Sequence, residues 1–339
     1  MAIDVSAYAG ETVMIAFHHE KEYVPTGGGS FGITNFGIWE DVENDAQLLT
    51  MELDDYALVN SDVEIGGTIK NIGVNEITSF EGEYWIDGEL SETFTISGVS
   101  VSSFETIPFT AGNPALFTVI DIHTVELIIT KVNGLENNSP ENNSQSQIIS
   151  IASEAVARKP LFEVFTSSTC GPCVEANETM GAVFQNNPDS TYSLVKSQMD
   201  WPGNGDPYYI EDGGIRKDYY NVSGVPSFYV NGKNDNPYMF TQSSFNQAGN
   251  KPCYVEMDLD HTFMGLDVWA YVTINPKINI EDASVHMAVV EGTTYNNTGS
   301  NGETEFHNVL MAMMPDGNGT ATNLSDGVTA TFNGNTNII

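Results

Sequence analysis

The sequence T-C-G-P-C at residues 169–173 constrains the fold of this chain more than any other stretch. An apolar run at residues 161–165 precedes it, and apolar residues at helical spacing follow it. The pattern therefore predicts a strand, a tight junction and a helix. A cysteine at such a junction lies at a helix N-terminus, where free N–H groups and the helix dipole favour the thiolate. Because the thiolate is the nucleophile of disulfide exchange, we expect Cys170 to attack a substrate disulfide and Cys173 to resolve the mixed disulfide that forms.

The sequence G-V-P-S at residues 224–227 leads into the short apolar strand 228–230. A C-G-P-C motif followed by V-P resembles thioredoxin-like domains, and residues 154–250 carry this resemblance. It implies a cis Val225–Pro226 bond beside the cysteines, with backbone groups that pair with a substrate strand. Cys170, Cys173 and Pro226 are thus the expected catalytic residues. The alternative is an ordinary trans turn, and a cis bond would be informative because only about 5–6% of X–Pro bonds in folded proteins are cis.

Three further stretches resemble one particular group of thioredoxin-like proteins: F-T-S-S-T-C at 165–170, W-P-G-N-G-D-P-Y-Y at 201–209, and Y-Y at 219–220. They resemble the version found in secreted, multi-domain surface proteins of Gram-negative bacteria that use type IX secretion. The resemblance implies an extracellular or outer-surface location. The implied partner is either a protein thiol or disulfide substrate, or a component of the cell surface or secretion machinery. Residues 1–6 lack the basic start and apolar core of a signal peptide, which we expect to lie outside this chain.

Two departures from the thioredoxin pattern leave the activity open. Thr169 stands before the first cysteine, where active thioredoxins usually carry Trp. Val164 occupies the position of a buried acidic or amide residue, and the adjacent Glu163 is expected to point to the opposite face of the strand. The first hypothesis is therefore a thiol–disulfide oxidoreductase. The second is a non-catalytic adhesive or structural cargo of type IX secretion, in which Cys170 and Cys173 form a structural disulfide.

Charge and cysteine content limit the partners and cofactors. The chain has 11 Lys and Arg against 46 Asp and Glu, a net charge of −35 in 339 residues. Such a field repels nucleic acid and anionic membranes, and no apolar run reaches the ~18 residues of a membrane helix. We expect neither a nucleic-acid partner nor a transmembrane segment.

We also expect no metal and no cofactor. A zinc site needs four ligands at suitable spacing, and the chain has a single C-x-x-C motif. His18 and His19 are adjacent on a predicted strand, so their side chains point to opposite faces. Cys253 lies in an apolar alternation, which favours a buried residue over a third redox thiol or a zinc ligand.

The remaining sequence predicts β-structure on both sides of the motif. Val63, Ile65 and Ile69 alternate with polar residues, as do Val255, Met257 and Leu259, and turn residues separate such runs. The expected fold class is a multi-domain protein: an α/β thioredoxin-like domain flanked by all-β immunoglobulin-like sandwiches, with a partial jelly-roll tail at the N-terminus. The expected domains are a partial jelly-roll resembling cleaved-adhesin or choice-of-anchor modules (1–47), an immunoglobulin-like sandwich (48–153), the thioredoxin-like domain (154–250), and a sandwich with an incomplete strand count (251–339).

Overall fold

The structure, a computed structural model, describes residues 42–295 and 299–338. This part of the chain is mostly β-structure, arranged in several sheets. Residues 1–41 of the predicted jelly-roll segment, 1–47, lie outside the described residues, and its last two residues belong to the strand Ala46–Glu52. No helix within the described ranges is long and apolar enough to cross a membrane.

Residues 46–152 form β-sheets around one apolar core. One sheet has the order β1-β4-β7, a second has the order β2-β11-β9-β5-β6 with β10 paired to β9, and β3 pairs with β8. The strands are β1 (Ala46–Glu52), β2 (Tyr56–Leu58), β3 (Asp62–Val63), β4 (Gly66–Asn71), β5 (Ile77–Ile86), β6 (Glu89–Val101), β7 (Thr106–Thr110), β8 (Ala115–Leu116), β9 (Ile122–Val132), β10 (Leu135–Glu136) and β11 (Ser144–Ala152).

The alternation read from the sequence matches this core. Val63, Ile65 and Ile69 are buried together with the inward residues of β5 and β9. Asp87 and Gly88 connect β5 to β6 with positive φ angles of 52° and 82°, as a two-residue hairpin turn requires. The period of two therefore identified the packed face of these strands.

The next region, residues 161–250, contains the helices. Parallel strands β12 and β13 are connected by α1, and β12 also pairs antiparallel with β14, which forms a hairpin with β15. The elements are β12 (Leu161–Thr166), α1 (Gly171–Phe184), β13 (Ser193–Gln198), α2 (Glu211–Tyr219), β14 (Ser227–Val230), β15 (Lys233–Asp235) and α3 (Gln242–Asn250).

The C-terminal region, residues 255–337, is again β-structure. Its sheets have the orders β16-β17-β22 and β18-β21, while β20 and β19 extend the sheet of the preceding region, whose full order is β15-β14-β12-β13-β20-β19. The strands are β16 (Val255–Met264), β17 (Asp267–Pro276), β18 (Ile280–Val285), β19 (Met287–Thr294), β20 (Phe306–Met314), β21 (Thr320–Leu324) and β22 (Ala330–Asn337).

The alternation in β16 is present but is not covered. Met257 and Leu259 pair with Ile274 and Val272 of β17, which are buried, yet they are themselves 63% and 58% exposed. The apolar residues of β17 pack against residues of β18, β19, β20 and β21, and Met257 and Leu259 are not part of that cluster. The apolar face at β16 is therefore open to solvent.

An aromatic cluster packs α1 and α3 against one face of β12. The ring of Phe162 is fully buried and contacts five other rings at centroid distances of 5.1–6.2 Å. The partners of Phe162 are Phe184, Tyr192, Phe228, Phe240 and Phe245. Such ring pairs stabilise by about 0.5–1.5 kcal/mol each beyond their apolar burial, so this residue fixes the strand that leads to the cysteines.

Replacing Phe162 by Ala should lower the opening free energy of the slowest-exchanging amides in β12 by about 3–5 kcal/mol, because it removes buried contacts and leaves a cavity. Native-state hydrogen exchange measures this directly. Met239→Ala, at an exposed position, serves as the control and should change the same amides by less than about 0.5 kcal/mol. Equal effects of the two substitutions would contradict the central role of Phe162.

Candidate functional site

Cys170 and Cys173 form a disulfide at the start of α1. Cys170 is the N-cap residue of the helix, and its backbone is extended there, at φ −96° and ψ 109°. The side chains are almost inaccessible, with exposed fractions of 2% for Cys170 and 0% for Cys173. The strand–junction–helix arrangement follows the prediction, and it places the first sulfur where the helix dipole stabilises a thiolate.

The Val225–Pro226 peptide bond is cis, and it lies beside the disulfide. The carbonyl oxygen of Val225 is 3.5 Å from Sγ of Cys170. This proximity arises because β14, which starts at Ser227, pairs with β12 as far as Phe165, just before the cysteine loop. The structure thus brings the three predicted residues into one place, while their catalytic role remains a prediction.

The insertion that follows β13 covers one side of the cysteine loop. The Asp206 carboxylate accepts a hydrogen bond from the Ser168 N–H at 2.9 Å, and the Thr169 hydroxyl donates to the carbonyl of Pro202 at 2.6 Å. A polar cavity of about 540 Å³ lies beside Thr169, lined also by Gly203, Asn204, Gly205, Gly299 and Ser300.

The β19–β20 connection covers another side of the cysteine loop. The N–H of Asn301 donates to the carbonyl of Ser168 at 3.0 Å, and its side-chain amide donates to the carbonyl of Cys170 at 3.2 Å. Glu303 accepts from the amides of Asn301 at 2.6 Å and Asn177 at 3.0 Å. The sequence analysis did not identify these residues, because Asn301 lies 131 positions from Cys170 and no local motif indicates that the two are in contact.

Lys196 of β13 is buried beneath this connection. Its ammonium group donates to the amide oxygen of Asn177 at 3.2 Å. Burial lowers the pKa of Lys196 from 10.5 to about 8, and the nearby charge of Glu303 opposes that shift in part. A buried amine that loses its proton so readily is an unusual group to find behind a disulfide loop.

Glu163 lies on the opposite face of β12, as the strand alternation predicted. Its carboxylate forms an ion pair with Arg216 of α2 at 2.9 Å and accepts a short hydrogen bond from the Tyr220 hydroxyl. Burial, together with the charge of Glu163, raises the pKa of the Tyr220 hydroxyl. This carboxylate is engaged with α2, and Val164 is the residue that faces α1. Glu163 is therefore not placed to take a proton from Cys173.

Cys253 is half-buried and free, which corrects the expectation of a fully buried residue. Its thiol lies 3.3 Å from the carbonyl of Val255, and its backbone bridges to Val156. The described residues contain no group of three or more His, Cys, Asp or Glu side chains arranged for a metal.

Comparisons with known proteins give only distant likenesses. No family model and no curated protein matches the chain. A CARDB domain of the PF1109 protein from Pyrococcus furiosus matches at 20% identity and a TM-score of 0.28, covering 33% of this chain and 96% of that domain. HBP35 of Porphyromonas gingivalis matches at 15% identity and a TM-score of 0.40, covering 53% of this chain and 64% of that one. Likenesses this weak establish neither a fold nor an activity for this chain.

The pKa of Lys196 predicts a pH dependence of stability. Between pH 8 and 10.5 the unfolded chain holds a proton on this amine that the folded chain has lost, so the free energy of unfolding rises with pH across that window. Relative to Lys196→Met, the natural protein should gain up to about 3 kcal/mol from pH 7 to pH 11, at 1.36 kcal/mol per pKa unit. Urea unfolding at a series of pH values measures the difference.

Lys233→Met, at an exposed position of β15, controls for the loss of one positive charge. A difference between the natural protein and Lys196→Met that stays flat from pH 7 to pH 11 would contradict the buried, easily deprotonated amine.

The contact between the β19–β20 connection and the cysteine loop should slow reduction of the disulfide. A Cβ atom at Gly299 would lie 1.9 Å from the carbonyl oxygen of Ser168, so the connection and the cysteine loop must separate in Gly299→Ala. Dithiothreitol should then reduce the Cys170–Cys173 disulfide about tenfold faster, a change that corresponds to about 1.4 kcal/mol. Quenched thiol labelling measures the rate. Gly292→Ala is the matched control, because a Cβ atom there meets nothing within 4 Å; equal rates in both variants would mean that the connection does not shield the disulfide.

Proposed function

We propose that this chain is an extracytoplasmic modular protein in which the Cys170–Cys173 disulfide is a structural cross-link in a thioredoxin-like domain. The observation that carries this proposal is the burial of both cysteines beneath residues from three other segments. The insertion after β13, the Val225–Pro226 peptide and the β19–β20 connection all contact the cysteine loop. Only 2% of Cys170 and none of Cys173 is exposed, so a substrate has little direct access to either sulfur.

The thioredoxin-like assignment of residues 154–250 rests on connectivity and on the position of the cysteines. A βαβ unit, an antiparallel hairpin and a closing helix follow one another, and the disulfide lies at the N-terminus of the first helix. β20 of the C-terminal region completes the sheet beside β13. We therefore propose that β20 is part of the sheet of the thioredoxin-like domain. The sequence analysis had assigned the residues of β20 to the following sandwich.

The disulfide supports a location outside the cytoplasm, since cytosolic thiols are kept reduced. The strongly acidic composition suits a soluble protein exposed to salt. Within this proposal the flanking β-regions are spacer or adhesive modules. The finer assignment, a type IX secretion cargo at the outer surface of a Gram-negative bacterium, rests on the stretches 165–170, 201–209 and 219–220, and its partners would be surface or secretion-machinery proteins.

A second candidate function is thiol–disulfide exchange, favoured by the position of Cys170 at the N-cap of α1 against the carbonyl of Val225. In the oxidised protein, a substrate thiolate would attack Sγ of Cys170, forming a mixed disulfide and releasing Cys173 as a thiolate. The second substrate thiolate would then break the mixed disulfide. The substrate dithiol would lose two electrons to become a disulfide, and the Cys170–Cys173 pair would become a dithiol.

Measurement of the reduction potential separates the two functions. A structural disulfide should show a potential below about −300 mV and no turnover of insulin or of a disulfide-linked peptide substrate. The Cys253→Ala background removes the third thiol so that only the pair titrates. A potential between about −270 and −120 mV with turnover would favour exchange instead.

Trapping provides the matched test in the same background. If exchange operates, Cys173→Ala should accumulate mixed disulfides at Cys170, and Cys170→Ala should accumulate far fewer. The structural proposal predicts equally few adducts in both variants, provided that circular dichroism shows both to be folded.

A further inference from the structure

A cluster of oxygen atoms lies where β1 begins and the β10–β11 connection passes over it. We call it the Asp45 cluster; it comprises the side chains of Asp45, Asn142 and Asn143 and the main-chain carbonyls of Asn138 and Ser139. Asn137 fastens the connection to β1, accepting from the Ala46 N–H at 2.8 Å and donating to the Ala46 carbonyl at 2.9 Å. The cluster is far from the disulfide in sequence and belongs to the first β-region.

The Asp45 carboxylate is buried with one oxygen unsatisfied. Only 1% of this residue is exposed. Its Oδ2 atom accepts from the Ser139 hydroxyl at 2.6 Å, whereas the buried Oδ1 atom has no hydrogen-bond partner. A buried, unsatisfied oxygen of a carboxylate is costly, so it points to a partner of positive charge.

Neither orientation of the Asn143 amide avoids a repulsive contact. With its oxygen toward the cluster, Oδ1 accepts from Asn137 at 2.7 Å but also faces three oxygens. These oxygens are Asn142 Oδ1 at 2.8 Å, the Ser139 carbonyl at 3.2 Å and the Asn138 carbonyl at 3.3 Å. With the amide rotated, its NH₂ group satisfies the three acceptors and its oxygen accepts from the Asn137 amide at 3.2 Å, but the NH₂ group then lies 2.7 Å from the NH₂ group of Asn137, which is also a donor.

A cation resolves both conflicts. Neighbouring ligands of one Ca²⁺ ion, each about 2.4 Å from it, lie about 3 Å apart, which is the spacing of the oxygens around Asn143. The ion would use these mutually facing oxygens and would supply the charge that the orphaned Asp45 oxygen lacks. Burial is the main cause that raises the pKa of Asp45. Hydrogen bonds from Ser139 and Asn142 oppose the rise, and the charge of exposed Glu141 adds to it, so the local potential is already negative.

We infer that the Asp45 cluster is a Ca²⁺-binding site. Asp45 would supply the charged ligand, Asn142 and Asn143 their amide oxygens, and residues 138 and 139 their main-chain carbonyls, with Glu141 and water filling the outer positions. A set rich in neutral oxygens suits the larger and more flexible shell of Ca²⁺ better than Mg²⁺, which keeps most of its waters. The absence of His and Cys from the cluster argues against Zn²⁺ and other transition metals.

The sequence gives no sign of this site. The stretch 137–144 is a polar loop with the composition of a turn, and Asp45 lies 94 residues before Ser139. The ligands meet only when β1 is placed beside the β10–β11 connection. The ion would link those two segments, so its binding should stabilise the first β-region by mass action.

Calorimetric titration of the full chain with CaCl₂, after removal of metals with EDTA, tests the inference. The expected result is one Ca²⁺ per chain with a dissociation constant between about 10⁻⁶ and 10⁻³ M, the range of sensor and extracellular sites, and weaker binding of Mg²⁺. Asp45→Asn should weaken Ca²⁺ binding at least about tenfold. Asp62→Asn, which removes an exposed acid from the same region, should leave binding unchanged and is the matched control.

Asn142→Ala is the second variant, because Asn142 is only half-buried and its loss should spare the fold even if Asp45→Asn does not fold. It should also weaken Ca²⁺ binding. No binding up to about 10 mM CaCl₂, well above the weakest extracellular sites, would overturn the inference. Undiminished binding by Asn142→Ala, or by folded Asp45→Asn, would overturn it as well, since the ion would then lie elsewhere on the acidic surface. Tighter binding of Mg²⁺ than of Ca²⁺ would also overturn it.

Discussion

The pairing of β13 with β20 is the contact on which the arrangement around the disulfide depends. It joins a strand of the helical region to one of the C-terminal β-region through the bridge between Lys196 and Val309. The sheet edge beside β13, which would otherwise present free N–H and C=O groups, is thereby covered. The same pairing carries the β19–β20 connection onto the cysteine loop, where Asn301 contacts the main chain of Ser168 and Cys170. The redox motif is therefore held by residues outside the segment in which sequence motifs place it.

This arrangement also explains why a lysine is buried behind the disulfide loop. Lys196 lies on β13 directly opposite Val164 of β12, on the face covered by α1. Its ammonium group donates a hydrogen bond to Asn177, which in turn donates to Glu303 of the β19–β20 connection. The cost of burying the amine is offset in part by that carboxylate, which the other β-region supplies. Removing the connection would thus affect both the cover of the disulfide and the ionisation of the amine.

Local patterns predicted the elements and missed the contacts between them. The C-G-P-C motif, the helical spacing after it and the alternation of Val63, Ile65 and Ile69 all concern residues a few positions apart, where backbone preference and alternation decide the outcome. The contacts of Asn301 with the cysteine loop and of Asn137 with Ala46 join residues 131 and 91 positions apart, and single side chains decide them. In β16 the alternation was visible, but it could not reveal that Met257 and Leu259 lack a covering strand in the described chain. A period of two identifies a face and does not identify what packs on it.

The Cys170–Cys173 disulfide and the proposed ion at the Asp45 cluster differ in the length of chain that each one closes. A disulfide between Cys170 and Cys173 closes a loop of four residues, and the chain-entropy model assigns such a closure about 2 kcal/mol. Its main consequence is local, because it fixes the first turn of α1 and the loop that Asn301 contacts. A link between Asp45 and Ser139 spans 94 residues, and in the same model a covalent closure of about that length is worth about 4–5 kcal/mol. An ion at the Asp45 cluster would therefore stabilise the assembly of a whole β-region. The disulfide fixes only the shape of one helix terminus. A structural disulfide requires that the two sulfurs stay bonded, whereas disulfide exchange requires that Sγ of Cys170 can be reached and the bond broken.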